Sequence, residues 1–346
     1  MTLKPSPVNS SRSGGCTLTG ALSVTSHIRN AVTVIHGPKG CAHHNFSLLH
    51  ATGLDNEEVR VPDLISTGLS ENDIVFGGEE TLCRTLESVT GRGTSAVFVL
   101  STCIVETIGD DIVSVCSKEY GVPVIPVPTA GFLGGTFQDG VNNALIALAG
   151  TAGPCTRNDS VNIIGEKNLE YEIEQNYTEI VRLLSMLGLP VNIRFVHNLP
   201  FCDLPCLGAA KLNILRDPSL LAVGKFLKDR FGIPYIDSFP VGLSGTLSFI
   251  KNVAETCNVD GSAAVSEEQA LQEEMLASFA DLTGAPAMFD YATGDSAGVR
   301  AAEEIVHALQ LQSAKNGNRF LLNVNPGAGT SGMKRMLHRW RRAIHA

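Results

Sequence analysis

Ala31-Val32-Thr33-Val34-Ile35-His36-Gly37-Pro38-Lys39-Gly40-Cys41 is an apolar, β-rich run that stops in a tight turn and delivers a thiol. A second stretch repeats the plan. Ala96-Val97-Phe98-Val99-Leu100 leads into Ser101-Thr102-Cys103-Ile104-Val105-Glu106-Thr107-Ile108-Gly109-Asp110-Asp111. Short unbroken apolar runs read as strands buried on both faces of a parallel sheet. Cys41 and Cys103 are therefore expected at the carboxyl ends of parallel strands, where open α/β sheets bind their ligands. A third thiol, Cys16, lies in Ser13-Gly14-Gly15-Cys16-Thr17. Glycines before Cys16 and Cys41 let the backbone approach bulky inorganic sulfide, where a side chain would clash. Three such turns suit an iron–sulfur cluster held between separated loops.

Outward from these stretches, strand-like runs alternate with helical ones, which predicts doubly wound α/β units. In a first domain, residues 1–157, strands are expected near 31–36, 73–77, 95–100 and 122–127. Helices are expected over Glu79–Val89 and Glu106–Tyr120, with Glu79, Glu80, Asp110 and Asp111 complementing the helix dipoles. Thr151-Ala152-Gly153-Pro154 reads as a hinge. A second domain, 158–262, carries expected strands at 161–165, 191–196, 212–215 and 234–238, and an amphipathic helix over Tyr171–Leu187. A small third unit, 263–346, has an acidic helix Ser266–Phe279, strands near 286–291 and 319–324, and helices Gly298–Gln310 and Gly332–Ala346.

Composition bounds the possibilities. Of 346 residues, 44% are hydrophobic and 18% charged, with 34 glycines, which is enough for two or three packed cores. No run of eighteen apolar residues occurs, so no membrane span is expected. Met1–Arg12 is polar and lacks the apolar stretch of a signal peptide. A cytoplasmic setting follows, where nine cysteines stay reduced and available to metal. A net charge of −9 disfavours nucleic acid. The basic run from Lys334 to Arg342 reads as the solvated face of a terminal helix.

Cys83 and Cys116 fall among apolar neighbours and read as core residues. Cys202 and Cys206, in Pro200-Phe201-Cys202-Asp203-Leu204-Pro205-Cys206, leave a packing role and a metal or redox role both open. Gly327-Ala328-Gly329-Thr330-Ser331-Gly332 matches G-x-G-x-x-G, but a dinucleotide site needs an acidic residue about twenty positions on, and none follows. It is expected to be a glycine-rich turn. No Gly-Lys-Ser/Thr phosphate loop occurs.

The segments around the three thiols resemble the amino-terminal domain of nitrogenase component 1 proteins. His36 to Cys41 is similar to the HGPxGC turn of that family, Ser101 to Asp111 to its STC…IGDD segment, and Val161-Asn162-Ile163-Ile164-Gly165-Glu166 to the strand opening its second domain. The resemblance runs from about Gly15 to Phe249. It implies an α/β fold of two to three doubly wound parallel-sheet domains around a central crevice, and a 4Fe-4S-type cluster ligated by Cys16, Cys41 and Cys103 at a subunit interface. It also implies a partner, a NifH-like homodimeric ATPase with its own 4Fe-4S cluster, so that ATP enters only through that partner.

One departure narrows the resemblance. Where nitrogenase anchors its iron–molybdenum cofactor with a cysteine, after a strand like Lys211–Leu215, this chain has Arg216-Asp217-Pro218. The soft ligand is missing, and no histidine lies between His197 and His307. The chain is then most similar to the tetrapyrrole reductases of the family that work on nickel-sirohydrochlorin a,c-diamide in making a nickel coenzyme of methanogens. These pair with themselves as a homodimer. The alternatives are the N subunit of dark-operative protochlorophyllide reductase and a non-catalytic cluster-assembly scaffold. His44, with His43 beside it, could donate protons or meet nickel, and Glu106 could act as an acid; the plainer roles are a hydrogen-bonding histidine and a helix-start charge. Arg12, Lys39, Arg194 and Arg216 could meet substrate carboxylates, and Gly131–Gly135 could admit a flat macrocycle. Three thiolates are one short of a four-cysteine set, which leaves the fourth ligand open.

Overall fold

The computed structural model describes residues 15–57, 61–129, 131, 134–153, 155–291, 295–313 and 321–345. It is an α/β structure with parallel sheets, in two compact units. One unit comprises Ser13–Tyr171 with Asn192–Tyr235, and the other comprises Glu172–Val191 with Ile236–Ala346.

The first unit opens with helix α1 (Thr17–Thr25) and a short strand β1 (Ile28–Arg29). Strand β2 (Ala31–His36), helix α2 (Lys39–Asp55) and strand β3 (Leu64–Ser66) follow. Then come α3 (Glu71–Phe76), α4 (Glu79–Thr90), β4 (Ala96–Ser101), α5 (Cys103–Ile108), α6 (Ile112–Cys116), β5 (Val124–Val127) and α7 (Phe137–Thr151). The sheet order is β3-β2-β4-β5, all parallel, with His36 opposite Ser101 at the carboxyl end. Every residue of β4 is buried. Alternate residues serve different cores, as a period of two requires. Ile35, Phe98 and Leu100 join one cluster with α1 and α7, whereas Val34, Val97 and Val99 join another with α4 and α6.

Strand β6 (Val161–Ile164) begins a second sheet in the same unit, with β7 (Val191–Phe195), β9 (Leu212–Leu215) and β10 (Tyr235–Ile236) in the order β10-β9-β6-β7. Strands β6 and β9 are parallel. Strand β8 (Leu199–Pro200) pairs with β1, and α9 (Leu221–Phe231) covers the sheet through Val223 and Leu227.

Helix α1 organises this unit. All nine of its residues are buried, and it crosses α7 backbone to backbone. A Cβ on Gly20 would lie 1.9 Å from the Phe137 carbonyl oxygen, and one on Gly140 would lie 1.9 Å from that of Thr17. Only glycine permits such an approach. The hydroxyls of Ser23 and Ser26 donate to carbonyls one turn back, at 2.7 and 2.6 Å, so the buried helix leaves them satisfied.

The second unit holds α8 (Ile173–Ser185), α10 (Leu243–Cys257), α11 (Ser262–Ala277), α12 (Ser296–Ala308) and α13 (Gly329–Ile344). Strand β11 (Pro286–Ala287) pairs with β13 (Gln312–Ser313), and β12 (Phe289–Asp290) pairs with β14 (Leu322–Asn323), both parallel. Its core gathers Phe279, Ile305, Met333, Met336 and Trp340. No helix among the described residues is long and apolar enough to cross a membrane.

Two expected elements change. Residues 73–77 form the end of helix α3 and its glycine cap, not a strand. Ser70 and Asp73 make a reciprocal capping box that nucleates the helix, and the sheet takes Leu64–Ser66 instead. The single helix expected over Glu106–Tyr120 breaks at Gly109, which adopts φ 81° and ends α5. Asp111 restarts the chain as the cap of α6.

Candidate metal centre

The three thiols stand at the starts of three helices. Cys16 is the N-cap residue of α1, Cys41 is the third residue of α2, and Cys103 is the first residue of α5. The first turn of a helix leaves backbone N–H groups without intrahelical partners, free to meet an anionic sulfur or sulfide. Cys16 is exposed, while Cys41 and Cys103 are half-buried.

Sheet register explains why the turns meet. Because His36 pairs with Ser101, the turns after β2 and β4 leave the sheet side by side. Thr102 donates its N–H to the His36 carbonyl at 3.0 Å. A Cβ on Gly37 would fall 2.1 Å from the Thr102 hydroxyl, so the turns touch where only glycine fits. Cys16 arrives from the third side. The loop after β5 packs on the start of α1, where a Cβ on Gly131 would lie 2.9 Å from the Thr17 hydroxyl. Burial pushes the Cys41 thiol up, and Cys16 and Cys103 push it further, so both of those sulfurs are within electrostatic reach of Cys41. Among the described residues no three such groups are set to grip a single metal ion. A cluster takes one thiolate per iron, so its ligands stand further apart than those of a lone ion. Beside Cys41, Gly40 faces open space, with no described atom within 4 Å of its Cβ position. Three soft thiols from three helix starts and the open room beside Gly40 fit an iron–sulfur cluster.

Behind the turns lies a dyad that the sequence did not single out. His36 is fully buried, its Nδ1 lies 3.1 Å from the Thr67 hydroxyl, and its Nε2 lies 3.0 Å from Asp110 Oδ2. Asp110 also accepts the Gly78 N–H at 3.1 Å, and Thr67 accepts the Gly37 N–H at 3.0 Å. Asp110 is thus more than a helix-start charge: it ties the end of β2 to the end of α5. Burial lowers the His36 pKa despite the pull of Asp110 the other way. A histidine closing a β-strand just before a glycine was the available signal, but its partner is 74 residues distant.

The other candidates divide. His44 and Glu106 each sit three residues after a thiol, on Cys41's helix and Cys103's helix respectively, and so share its face. His43 and His44 are exposed. Glu106 is half-buried and accepts a short hydrogen bond from the Ser101 hydroxyl. Lys39 is exposed and lies along Gly68, and Arg194 pairs with Glu166 at 3.2 Å. Arg12 and, within Gly131–Gly135, Phe132 and Leu133 lie outside the described residues.

After β9, Asp217 forms an ion pair with Lys167 at 3.2 Å and accepts the Ser219 N–H at 2.8 Å. Burial works against the charge of this carboxylate, yet Lys167 and Ser219 hold it below the ordinary range. In the second unit the Gly327–Gly332 turn is filled from within. Asn176 accepts the Ala328 N–H at 2.9 Å, and Glu179 accepts that of Ser331 at 3.1 Å. The chain's own carboxylate therefore occupies the anion position of that turn. Cys83 is half-buried, with the Lys118 ammonium 3.1 Å from its sulfur. Cys116 is buried, and that burial pushes its thiol up to about 12.

Comparison with known proteins agrees with this architecture. Residues 16–317 match the nitrogenase component 1 type oxidoreductase family. The chain is 30% identical over 266 residues to the nitrogenase iron-molybdenum cofactor biosynthesis protein NifE of Clostridium pasteurianum, covering 75% of this chain and 57% of that protein. It is 28% identical over 285 residues to the nitrogenase molybdenum-iron protein alpha chain of the same organism, covering 78% and 52%. It thus spans little more than half the length of these relatives. The structure superposes on nitrogenase Cp1 at pH 5 with a TM-score of 0.67 and 23% identity, over 90% of this chain and 65% of that one. On the family match and the shared fold together, the chain belongs to the nitrogenase component 1 type oxidoreductases.

Proposed function

We propose that this chain is the cluster-bearing component of an ATP-dependent reductase of a nickel tetrapyrrole, with Cys16, Cys41 and Cys103 as cluster ligands. The observation that carries the reading is the convergence of three thiols from three helix starts at the carboxyl end of one parallel sheet. A 4Fe-4S-type cluster held there supplies single low-potential electrons. The rest falls to the chain. The contact of Gly37 with Thr102 and the bond of His36 to Asp110 fix the turns that carry Cys41 and Cys103. His44 and Glu106, one helical turn beyond those thiols, are the groups able to hand protons to a macrocycle reduced nearby. With three thiolates per chain, a homodimer completes the ligand set.

The substrate class rests on the site after β9. An ion pair and a cap stand where an iron–molybdenum cofactor would call for a thiolate. An organic macrocycle needs no such anchor. It calls instead for apolar walls with a few fixed polar groups, and Arg216 at the end of β9 is suited to its carboxylates. A NifH-like ATPase supplies the electrons, because this sequence has no phosphate loop. The relatives named for cofactor biosynthesis favour a second reading, in which the chain is a scaffold on which a cluster matures and then leaves.

Anaerobically purified protein separates these readings. Alanine at Cys16, Cys41 or Cys103 is expected to strip most iron and the brown absorbance, whereas alanine at Cys83 or Cys116 leaves both. Nickel-sirohydrochlorin a,c-diamide should be consumed only with ATP, a reductant and the ATPase partner present. Full iron retention by Cys41→Ala would sink the ligand assignment. Transfer of the cluster to an acceptor without turnover would install the scaffold, and reduction of protochlorophyllide alone would install the N-subunit reading.

A further inference from the structure

A second group of thiols lies at the opposite end of the strands. Cys155 precedes β6, and Cys202 and Cys206 precede β9, whereas Cys41 and Cys103 of the metal centre follow β2 and β4. All three are free and exposed. The segment leading into β6 runs along the 3-10 helix Phe201–Ala209, which carries Cys202 and Cys206. Asn158 donates its N–H to the Ala209 carbonyl at 2.8 Å. A Cβ on Gly208 would lie 3.2 Å from the Gly153 carbonyl oxygen and 3.5 Å from the Cys155 nitrogen. This side-by-side run sets Cys155 next to Cys206, two residues before Gly208, and the two thiols are within electrostatic reach of each other. Both flanks are tied down. Asn192 donates to the Cys206 carbonyl at 2.8 Å, and Arg157 donates to that of Ala210 at 2.6 Å. The Cys202 sulfur lies 3.5 Å from Asp203 Oδ1, and it acts on Cys206 through its charge, more weakly than Cys155 does. No three groups among the described residues are set for a single ion, so a mononuclear metal site is not the reading.

We propose that Cys155 and Cys206 form a redox-active dithiol that closes to an intramolecular disulfide by exchange with a low-molecular-weight disulfide. The Cys155 thiolate attacks one sulfur of the small disulfide, making a mixed disulfide and expelling one small thiolate, which takes up the proton that Cys155 gave up. Cys206 then loses its proton and attacks the Cys155 sulfur, forming the protein disulfide and expelling the second small thiol. Two protein thiols are oxidised, and one small disulfide is reduced to two thiols. Partial desolvation and the neighbouring Cys155 push the Cys206 thiol up, and the Asn192 bond to its carbonyl holds it in place, which suits it to the second, intramolecular step. An exposed disulfide in a reducing setting is labile and acts as a sensor rather than a brace.

The test uses the full chain, purified anaerobically and incubated with oxidised glutathione, with free thiols then blocked and the peptides mapped by mass. A cross-linked peptide joining Cys155 to Cys206 is expected, lighter by two hydrogen atoms, reversed by dithiothreitol, with iron content unchanged. Cys155→Ser and Cys206→Ser should each abolish it and leave the remaining thiol as a mixed disulfide, while Cys202→Ser retains it. Glutathione adducts at both cysteines of the wild type without a cross-link would overturn the proposal. So would a cross-link that runs through Cys202, or one that forms only as iron is lost.

Discussion

His44 is the residue on which the proposed chemistry is most exposed to test. It stands one helical turn beyond Cys41 on an accessible face of α2. If it gives a proton only as the macrocycle is reduced, His44→Ala should lower turnover by roughly 100-fold, the low end for a lost general acid, with little change in KM. Lost affinity with unchanged turnover at saturation would make it a binding contact instead. His36 makes a different prediction, because it is fully buried and its pKa is lowered from 6.5 by burial. The folded state binds the His36 proton more weakly than the unfolded chain does. Its contribution to stability is therefore complete above the unfolded value near 6.5 and is lost as pH falls from there through the lower folded value. Urea unfolding followed from pH 8 to pH 5 should reveal that loss in the wild type and a flatter profile in His36→Gln. Equal slopes for the two proteins would remove His36 from the pH response.

At the scale of elements, the approach of α1 to α7 fixes where Cys16 emerges. Gly20→Ala puts a methyl 1.9 Å from a backbone oxygen that cannot swing aside. The cost should be roughly 3 kcal/mol, the upper part of the overpacking range, with iron lost as α1 shifts. Gly245→Ala in α10 meets nothing within 4 Å and should instead stabilise by up to about 1 kcal/mol through helix propensity. A chemical-denaturation series with both variants checks the contrast; equal midpoints would mean that the helices part without cost. The same elements separate what sequence reveals from what it conceals. Strands β2, β4, β6 and β9 were legible because burial on both faces makes them unbroken apolar runs. Helix α1 was not singled out, since Thr17–Thr25 is buried all round and so carries no amphipathic period. Asp73-Ile74-Val75-Phe76 imitates a strand, but the Ser70–Asp73 box commits it to a helix and leaves Val75 72% and Phe76 85% exposed. The three thiol turns were readable as local sequence. The His36–Asp110 bond behind them joins residues that no local pattern connects.

At the scale of the whole molecule, the three thiolate ligands proposed per chain make the stoichiometry of the assembly a test of the proposed metal centre. A chain that ligates a four-iron cluster with three thiolates and an outside fourth ligand holds about four irons. A homodimer that pools two sets of three thiolates around one cluster on its twofold axis holds about two irons per chain. Six thiolates are more than one cluster needs, so the pooled arrangement should tolerate the loss of one ligand from a single chain better than the separate one, with iron lost once the same thiolate is missing from both chains. Mixing wild-type and Cys16→Ala chains before reconstitution tells the two apart. With separate clusters, iron falls in proportion to the variant fraction. With a pooled cluster, the mixed dimer keeps its iron, and the loss lags behind the variant fraction. Iron analysis beside sedimentation of the same sample reads both quantities at once. The homodimer proposal requires a dimer that persists when iron is bound; a monomer carrying four irons would reject it while leaving Cys16, Cys41 and Cys103 as ligands.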